Sequence, residues 1–260
     1  MVSLLLADPR IDPNKPRDNG ATPFFLACEN GRKGIVSAML ADPRIDLNKA
    51  DNGGFTPFHI ACLEAHKEVI SLLLSNPRLD PNQPDRNGAT PFFMTCQNGH
   101  KEVVSLLLAD PRIDPIRPND NKATPFYIAC EKGHKEVVSL LLADPRTDPN
   151  RPIDDQITPL WQASQEGHLV IVQHLLASGR EIDTKTRSTF NNKTAAEQGR
   201  AMGERTGTEY YETARDLQRK KTNGPLCADV IDGYERDPVA VRYRLRRQPW
   251  WSSTLTPSWS

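Results

Sequence analysis

Three kinds of side chain able to do chemistry recur at one fixed interval along this 260-residue chain. Cys28, Cys62, Cys96 and Cys130 stand 34 residues apart. Thiolates converging within a few ångströms would bind zinc, and a close pair would form a disulfide. Equivalent points on stacked helices lie about 8–10 Å apart, too far for either. The same column continues as Ser164, so the position is read as a small-residue packing slot.

His100, His134 and His168 share that interval and each follows a glycine. No nucleophile or carboxylate recurs beside them in a constellation suited to general acid–base work, so they are read as hydrogen-bonding turn residues. His59 is read the same way, as a local hydrogen bonder. The chain has no Gly-rich phosphate loop, no His-Glu-x-x-His, no Gly-x-Ser-x-Gly and no Cys-x-x-Cys. The expectation is a non-enzyme, with no catalytic residues, metal ligands, cofactor or small-molecule substrate.

Arg10, Arg44, Arg78, Arg112 and Arg146 form a third column, each preceded by Asp-Pro or, at Arg78, Asn-Pro. A ladder of guanidinium groups could hold an extended acidic partner. Asp12, Asp46, Asp80, Asp114 and Asp148 lie two residues on, so local neutralisation is expected instead.

Charge sets further bounds. Lys+Arg and Asp+Glu both count 33, which excludes a global attraction to nucleic acid or acidic membrane. Residues 1–179 carry 18 basic and 22 acidic groups, and residues 180–260 carry 15 and 11. The basic C-terminal segment, with Arg219-Lys220-Lys221 and Arg244, Arg246 and Arg247, is read as solvated surface, with nucleic-acid contact kept as an alternative. No apolar run approaches the roughly 18–20 residues of a membrane span, and no secretory leader is evident. An intracellular, cytoplasmic location is expected.

The elements that carry these columns follow from the same period. Thr-Pro dipeptides begin at Thr22, Thr56, Thr90, Thr124 and Thr158, with Gly31, Ala65, Gly99, Gly133 and Gly167 nine residues beyond. Threonine caps a helix, and proline costs nothing at the first helical position. Thr90-Pro91 therefore opens a short helix that Gly99 stops in a left-handed turn. A second helix from Lys101 to Ala109 offers Val103, Val104, Leu106, Leu107 and Leu108 for burial, and Asp110-Pro111 ends it. Eighteen of the 22 prolines fall within residues 1–160, at the recurring turns. Helices this short are marginal alone, so the repeats must stack.

This layout resembles the ankyrin repeat, through Thr56-Pro57-Phe58-His59-Ile60-Ala61 and Gly167-His168-Leu169-Val170-Ile171-Val172. The resemblance implies an all-α, ankyrin-type α-solenoid of helix-turn-helix repeats with β-hairpin-like loops and a short helical C-terminal cap. Phe25, Phe93, Tyr127 and Trp161 replace the motif histidine. Lys122 and Gln156 replace the hairpin glycine seen at Gly20, Gly54 and Gly88, so those two turns are expected to be strained or differently shaped.

Residues 1–18 are read as a partial repeat, its second helix and loop. Five full repeats span 19–183. Residues 184–248 form a degenerate sixth repeat: Thr194-Ala195-Ala196 opens its first helix, Glu204 to Asn223 is a polar insertion or loop, and Pro225 to Ile231 is a delayed second helix. Asp237-Pro238 opens a cap helix to Gln248, and 249–260 is a disordered tail.

Ankyrin proteins, by resemblance, bind other proteins through hairpin tips and the exposed face of the first helices. The positions that vary between copies are the expected partner-binding residues. At the tips these are Arg17, Asp18, Asp51, Asn52, Asp85, Arg86, Asn119, Asp120, Asp154 and Asp155. Late in the first helices they are Glu29, Glu64, Gln97, Glu131 and Gln165. The expected function is a protein–protein interaction scaffold using a concave, acidic to polar surface. The alternative is the repeat region of a larger regulatory or signalling protein whose effector domain lies upstream.

Overall fold

Each first helix starts where threonine can accept an orphan amide. In the computed structural model, which describes residues 6–204 and 214–248, the Thr22 hydroxyl accepts from the Phe25 amide at 3.1 Å. Thr56, Thr90, Thr124, Thr158 and Thr194 do the same for the residue three on. Proline follows directly in five of these six caps, where its missing N–H leaves no bond unmade.

The chain divides into two compact units, Met1–Asp120 and Asn121–Ser260. In the first, the helix pairs are α1 (Pro23–Glu29) with α2 (Lys33–Leu40), α3 (Pro57–Leu63) with α4 (Lys67–Leu74), and α5 (Pro91–Asn98) with α6 (Lys101–Leu108). First helices pack on first helices and second on second. Phe24, Phe58 and Phe92, with Val36, Ile70 and Val104, are fully buried between the layers. Of the apolar run in α6, Val103, Val104 and Leu107 are buried. Leu106 and Leu108 are only half-buried, because a period of 3.6 turns them off the inner stripe.

In the second unit, α7 (Pro125–Lys132) and α8 (Lys135–Ala143) are followed by α9 (Pro159–Gln165) and α10 (Leu169–Ala177). Then come α11 (Ala195–Gly203), α12 (Ala214–Arg236) and α13 (Pro238–Arg246). Helix α12 differs from the sequence expectation: Ala214 to Asn223 is helical rather than loop, and the delayed second helix is continuous with it through Pro225. Packing overrides the missing proline hydrogen bond. A Cβ on Gly199 of α11 would lie 2.5 Å from the Gly224 carbonyl oxygen, so the two helices cross backbone against backbone. Cys227, Ala228 and Ile231 are buried beneath that crossing. The expected cap helix is α13, with Asp237 as its N-cap and Val241 and Leu245 buried. The expected tail at 249–260 lies outside the described residues, as do residues 1–5.

Among the described residues there is no strand. The tips are tight turns closed by backbone bonds, as from Arg17 N–H to the Ala21 carbonyl at 3.0 Å and from Gly20 N–H to the Arg17 carbonyl at 2.9 Å. Nor is any described helix long and apolar enough to cross a membrane.

The two tips in which Lys122 and Gln156 replace the glycine hold non-glycine residues in the left-handed region. Lys122 has φ +62, and Asp155 and Gln156 have φ +58 and +57, two successive left-handed residues of the kind a type I′ turn demands. Gln156→Gly should therefore gain about 0.5–1 kcal/mol in urea unfolding. Gly88→Ala should lose about 2 kcal/mol. Gly88 sits at φ +75, and an added Cβ would fall 2.3 Å from Asp120 Oδ1. Equal effects of one sign would contradict the turn geometry.

Candidate partner-binding surface

The recurring polar columns turn inward, toward the neighbouring repeat. His66 Nε2 lies 2.8 Å from the Glu29 carbonyl, His100 Nε2 2.8 Å from that of Leu63, and His168 Nε2 2.8 Å from that of Glu131. A carbonyl only accepts, so each Nε2 carries the proton. The histidines thus tie each turn to the end of the preceding first helix. His59 is fully buried and bridges too: its Nδ1 accepts from the Thr56 amide at 3.1 Å, and its Nε2 donates to the Ala89 carbonyl at 3.1 Å.

The arginines serve the second helices. Arg44 donates to the Leu6 carbonyl, Arg78 to that of Leu40 at 3.4 Å, Arg112 to that of Leu74 at 2.5 Å and Arg180 to that of Leu142 at 3.2 Å. A cation at a helix C-terminus also suits the helix dipole. Their neutralising carboxylates are not the ones expected. Asp8, Asp42, Asp110 and Asp144, two residues before the arginine, pair with it at 2.6–2.7 Å. The guanidinium beside each holds its carboxyl below the usual range. The aspartates after the arginine instead accept a backbone amide two residues on, as Asp12 does from Asn14 at 2.9 Å. The fixed backbone turn places the guanidinium back over the preceding residue.

A fourth column escaped the sequence reading. Asn14, Asn48, Asn82 and Asn150 each donate to a carbonyl of the following repeat's loop and accept an amide two residues beyond it. The period was visible, but asparagine was read only as a turn former.

The cysteines of the column are buried and free. Burial pushes their thiols up, to about 12 at Cys62, which leaves them inert near neutral pH. Among the described residues no group of His, Cys, Asp and Glu is placed to hold a metal ion.

The expected partner-binding residues play two parts, with Asp120 and Asp155 playing both. Several are held by the tips themselves. Asp85 is buried, its Oδ1 accepting the Asn87 and Ala89 amides at 2.9 and 2.8 Å. Asp51 does the same for Gly53 and Phe55. Asn52 is exposed, yet it links adjacent tips through the Asn19 and Asp18 carbonyls at 2.9 and 2.8 Å. The Asp120 amide reaches the Asn87 carbonyl at 3.0 Å. Asp155 accepts the Thr189 amide at 2.8 Å and hydroxyl at 3.0 Å.

The second part keeps side chains at the surface. Arg17, Asp18, Arg86, Asp120, Asp154, Asp155 and Glu64 are exposed, whereas Glu29, Gln97, Asn119, Glu131 and Gln165 are half-buried. Asp154 pairs with Lys122 at 2.5 Å, and Glu131 with Lys132 at 2.8 Å.

Part of the basic C-terminal segment is spent on the fold. Arg219 donates to the Glu166 carbonyl at 2.9 Å, and Lys220 pairs with the Glu166 carboxylate at 3.0 Å. Arg246 donates to the Ala177 carbonyl at 2.9 Å.

Threonine-capped helix pairs, cross-linked by side chains reaching one repeat back, define a tandem helical-repeat protein. The model for "Ankyrin repeats (3 copies)" matches residues 1–85, 77–153 and 113–188. The chain belongs to the ankyrin-repeat family, whose members are generally protein–protein interaction modules. Its fold is similar to the crystal structure of EF0377, an ankyrin repeat protein, with TM-score 0.63 and 22% identity over 79% of this chain and 96% of that one. Among curated proteins none matches.

Burial, reinforced by the Arg219 charge, lowers His168 to about 4 from an ordinary 6.5. The unfolded chain therefore takes up this proton first, near pH 6.5. Stability is complete above that value and falls as pH drops toward 4, with a slope approaching about 1.4 kcal/mol per pH unit for this group. His168→Gln keeps a donor but no titration. Its urea midpoint should drop less than the parent's between pH 7.5 and 4.5; an identical drop would exclude His168 as a source.

Proposed function

We propose that the chain is a protein-binding scaffold that takes its partner across the hairpin tips and the late first-helix positions. The observation that carries this is a division of labour. The periodic His, Arg and Asn side chains are occupied by neighbouring repeats, while the exposed positions that change from copy to copy lie at Arg17, Asp18, Arg86, Asp120, Asp154 and Glu64. Gln97, Glu131 and Gln165 add half-buried polar contacts. Asp51, Asn52 and Asp85 shape the tips and contribute to binding through them. Recognition spread over several repeats should lose affinity in increments.

Nucleic acid is the weaker reading for the C-terminal segment, because Arg219, Lys220, Arg242 and Arg246 already face carbonyls or Glu166.

The test is quantitative co-purification with the full chain and with Asp18→Lys, Glu64→Lys, Arg86→Glu and Asp154→Lys. Each should weaken capture of the same protein partner, by about three- to tenfold. Lys67→Glu and Glu102→Lys, on second-helix surfaces, should leave it unchanged. Equal capture by all variants would reject this surface.

A further inference from the structure

One tip departs from the rest. The sixth runs from Ser188 to Lys193 and is closed by a backbone bond of 3.0 Å between those residues. Its closure spans one residue more than that from Arg17 to Ala21. At its apex stands Phe190, 75% exposed, where the other tips carry Asp, Asn, Arg or Gly.

The loop that displays this ring is fixed. The Phe190 amide donates to Ser188 Oγ at 3.1 Å, the Lys193 amide to Asn191 Oδ1 at 3.1 Å, and Asn191 Nδ2 to Gln198 Oε1 at 2.9 Å. Arg187 donates to the Asn192 carbonyl at 2.6 Å. Thr189 ties the tip to Asp155 through both its amide and its hydroxyl. An exposed phenyl ring contributes nothing to the core. On a loop already ordered, however, it would bury its apolar area against a partner with little further loss of backbone entropy.

We propose that Phe190 is the aromatic anchor of the second unit's partner interface, seated in an apolar pocket of a protein partner with basic groups at the pocket's rim. This rests on the partner-binding reading of the tips above. The basic rim follows from Asp155, exposed on the adjoining tip; Asp154 beside it is already paired with Lys122 at 2.5 Å. The Asp155 carboxylate disfavours a base-stacking role, since it would repel a phosphate backbone. Arg187 is already paired with Glu197 at 2.7 Å, which leaves Lys193 as the tip's other cation.

The experiment selects binders from a display library of randomised folded domains against the immobilised full chain. Affinities of the selected domains are then measured on the parent, Phe190→Ser, Phe190→Trp, Asp154→Lys and Gln165→Lys. For domains that lose to Asp154→Lys, Phe190→Ser should weaken binding at least about tenfold and Phe190→Trp by less than about threefold. The melting temperature of Phe190→Ser should match the parent's, because the ring is exposed. Domains sensitive to Asp154→Lys or Gln165→Lys but indifferent to Phe190→Ser would overturn the anchor and leave the tip reading standing. Domains indifferent to every substitution would overturn both. Binding of a labelled oligo-dT that Phe190→Ser abolishes would overturn the protein occupant in favour of single-stranded nucleic acid.

Discussion

Everything in each unit depends on satisfying helix ends that are too close together to ignore. Helices of seven to nine residues make up ten of the repeat pairs' elements. In a helix that short, the four unbonded amides and four unbonded carbonyls approach the number that are bonded. Threonine and proline settle the amino ends of the first helices locally. The carboxyl ends are settled by the next repeat: histidine for the first helix, arginine for the second. A single repeat therefore leaves its carbonyls unpaired as well as its apolar face bare, which couples hydrogen bonding to stacking.

That coupling explains why residues able to do chemistry are not free to do it. A histidine whose Nε2 proton is committed to a carbonyl, and whose imidazole is desolvated, is a poor general base. The buried thiols are poor nucleophiles for the same reason, because burial disfavours their charged form. The periodic positions are thus consumed by the repeat, and the surface available to a partner is what the period leaves over.

Most of the fold was legible because it is written in residues with one strong local role. Thr-Pro starts, glycine stops and Asp-Pro ends marked most of the boundaries of the first ten helices. Three things were not legible, for different physical reasons. The asparagine bridges and the partners of the arginines depend on which way a side chain points across a gap between repeats, which spacing along one chain does not give. The helix from Ala214 was hidden because its residues are polar and contain Gly224 and Pro225, and only the close crossing with Gly199 makes that composition stable. Asp85 looked like a surface variable because aspartate at a tip can either face solvent or accept its own turn's amides. Phe190 went unnoticed because the sixth tip is out of register with the 34-residue period.

The last repeat shows that the constraint is chemical rather than a matter of sequence pattern. No copy with a Gly-His turn or an Asp-Pro-Arg loop follows α10, yet its carbonyls, and those of α9, are still met. Arg219 and Asn223 reach the Glu166 and Gly167 carbonyls at 2.9 and 3.1 Å, near where a further histidine would act. Arg242 and Arg246 reach those of Leu176 and Ala177 at 3.4 and 2.9 Å, near where a further loop arginine would. The mild positive charge of the C-terminal segment, which on composition alone could be taken for a nucleic-acid contact, is accounted for in part by this substitution. Long cationic side chains replace the repeat because they supply donors with enough reach to satisfy helix ends without reproducing its backbone.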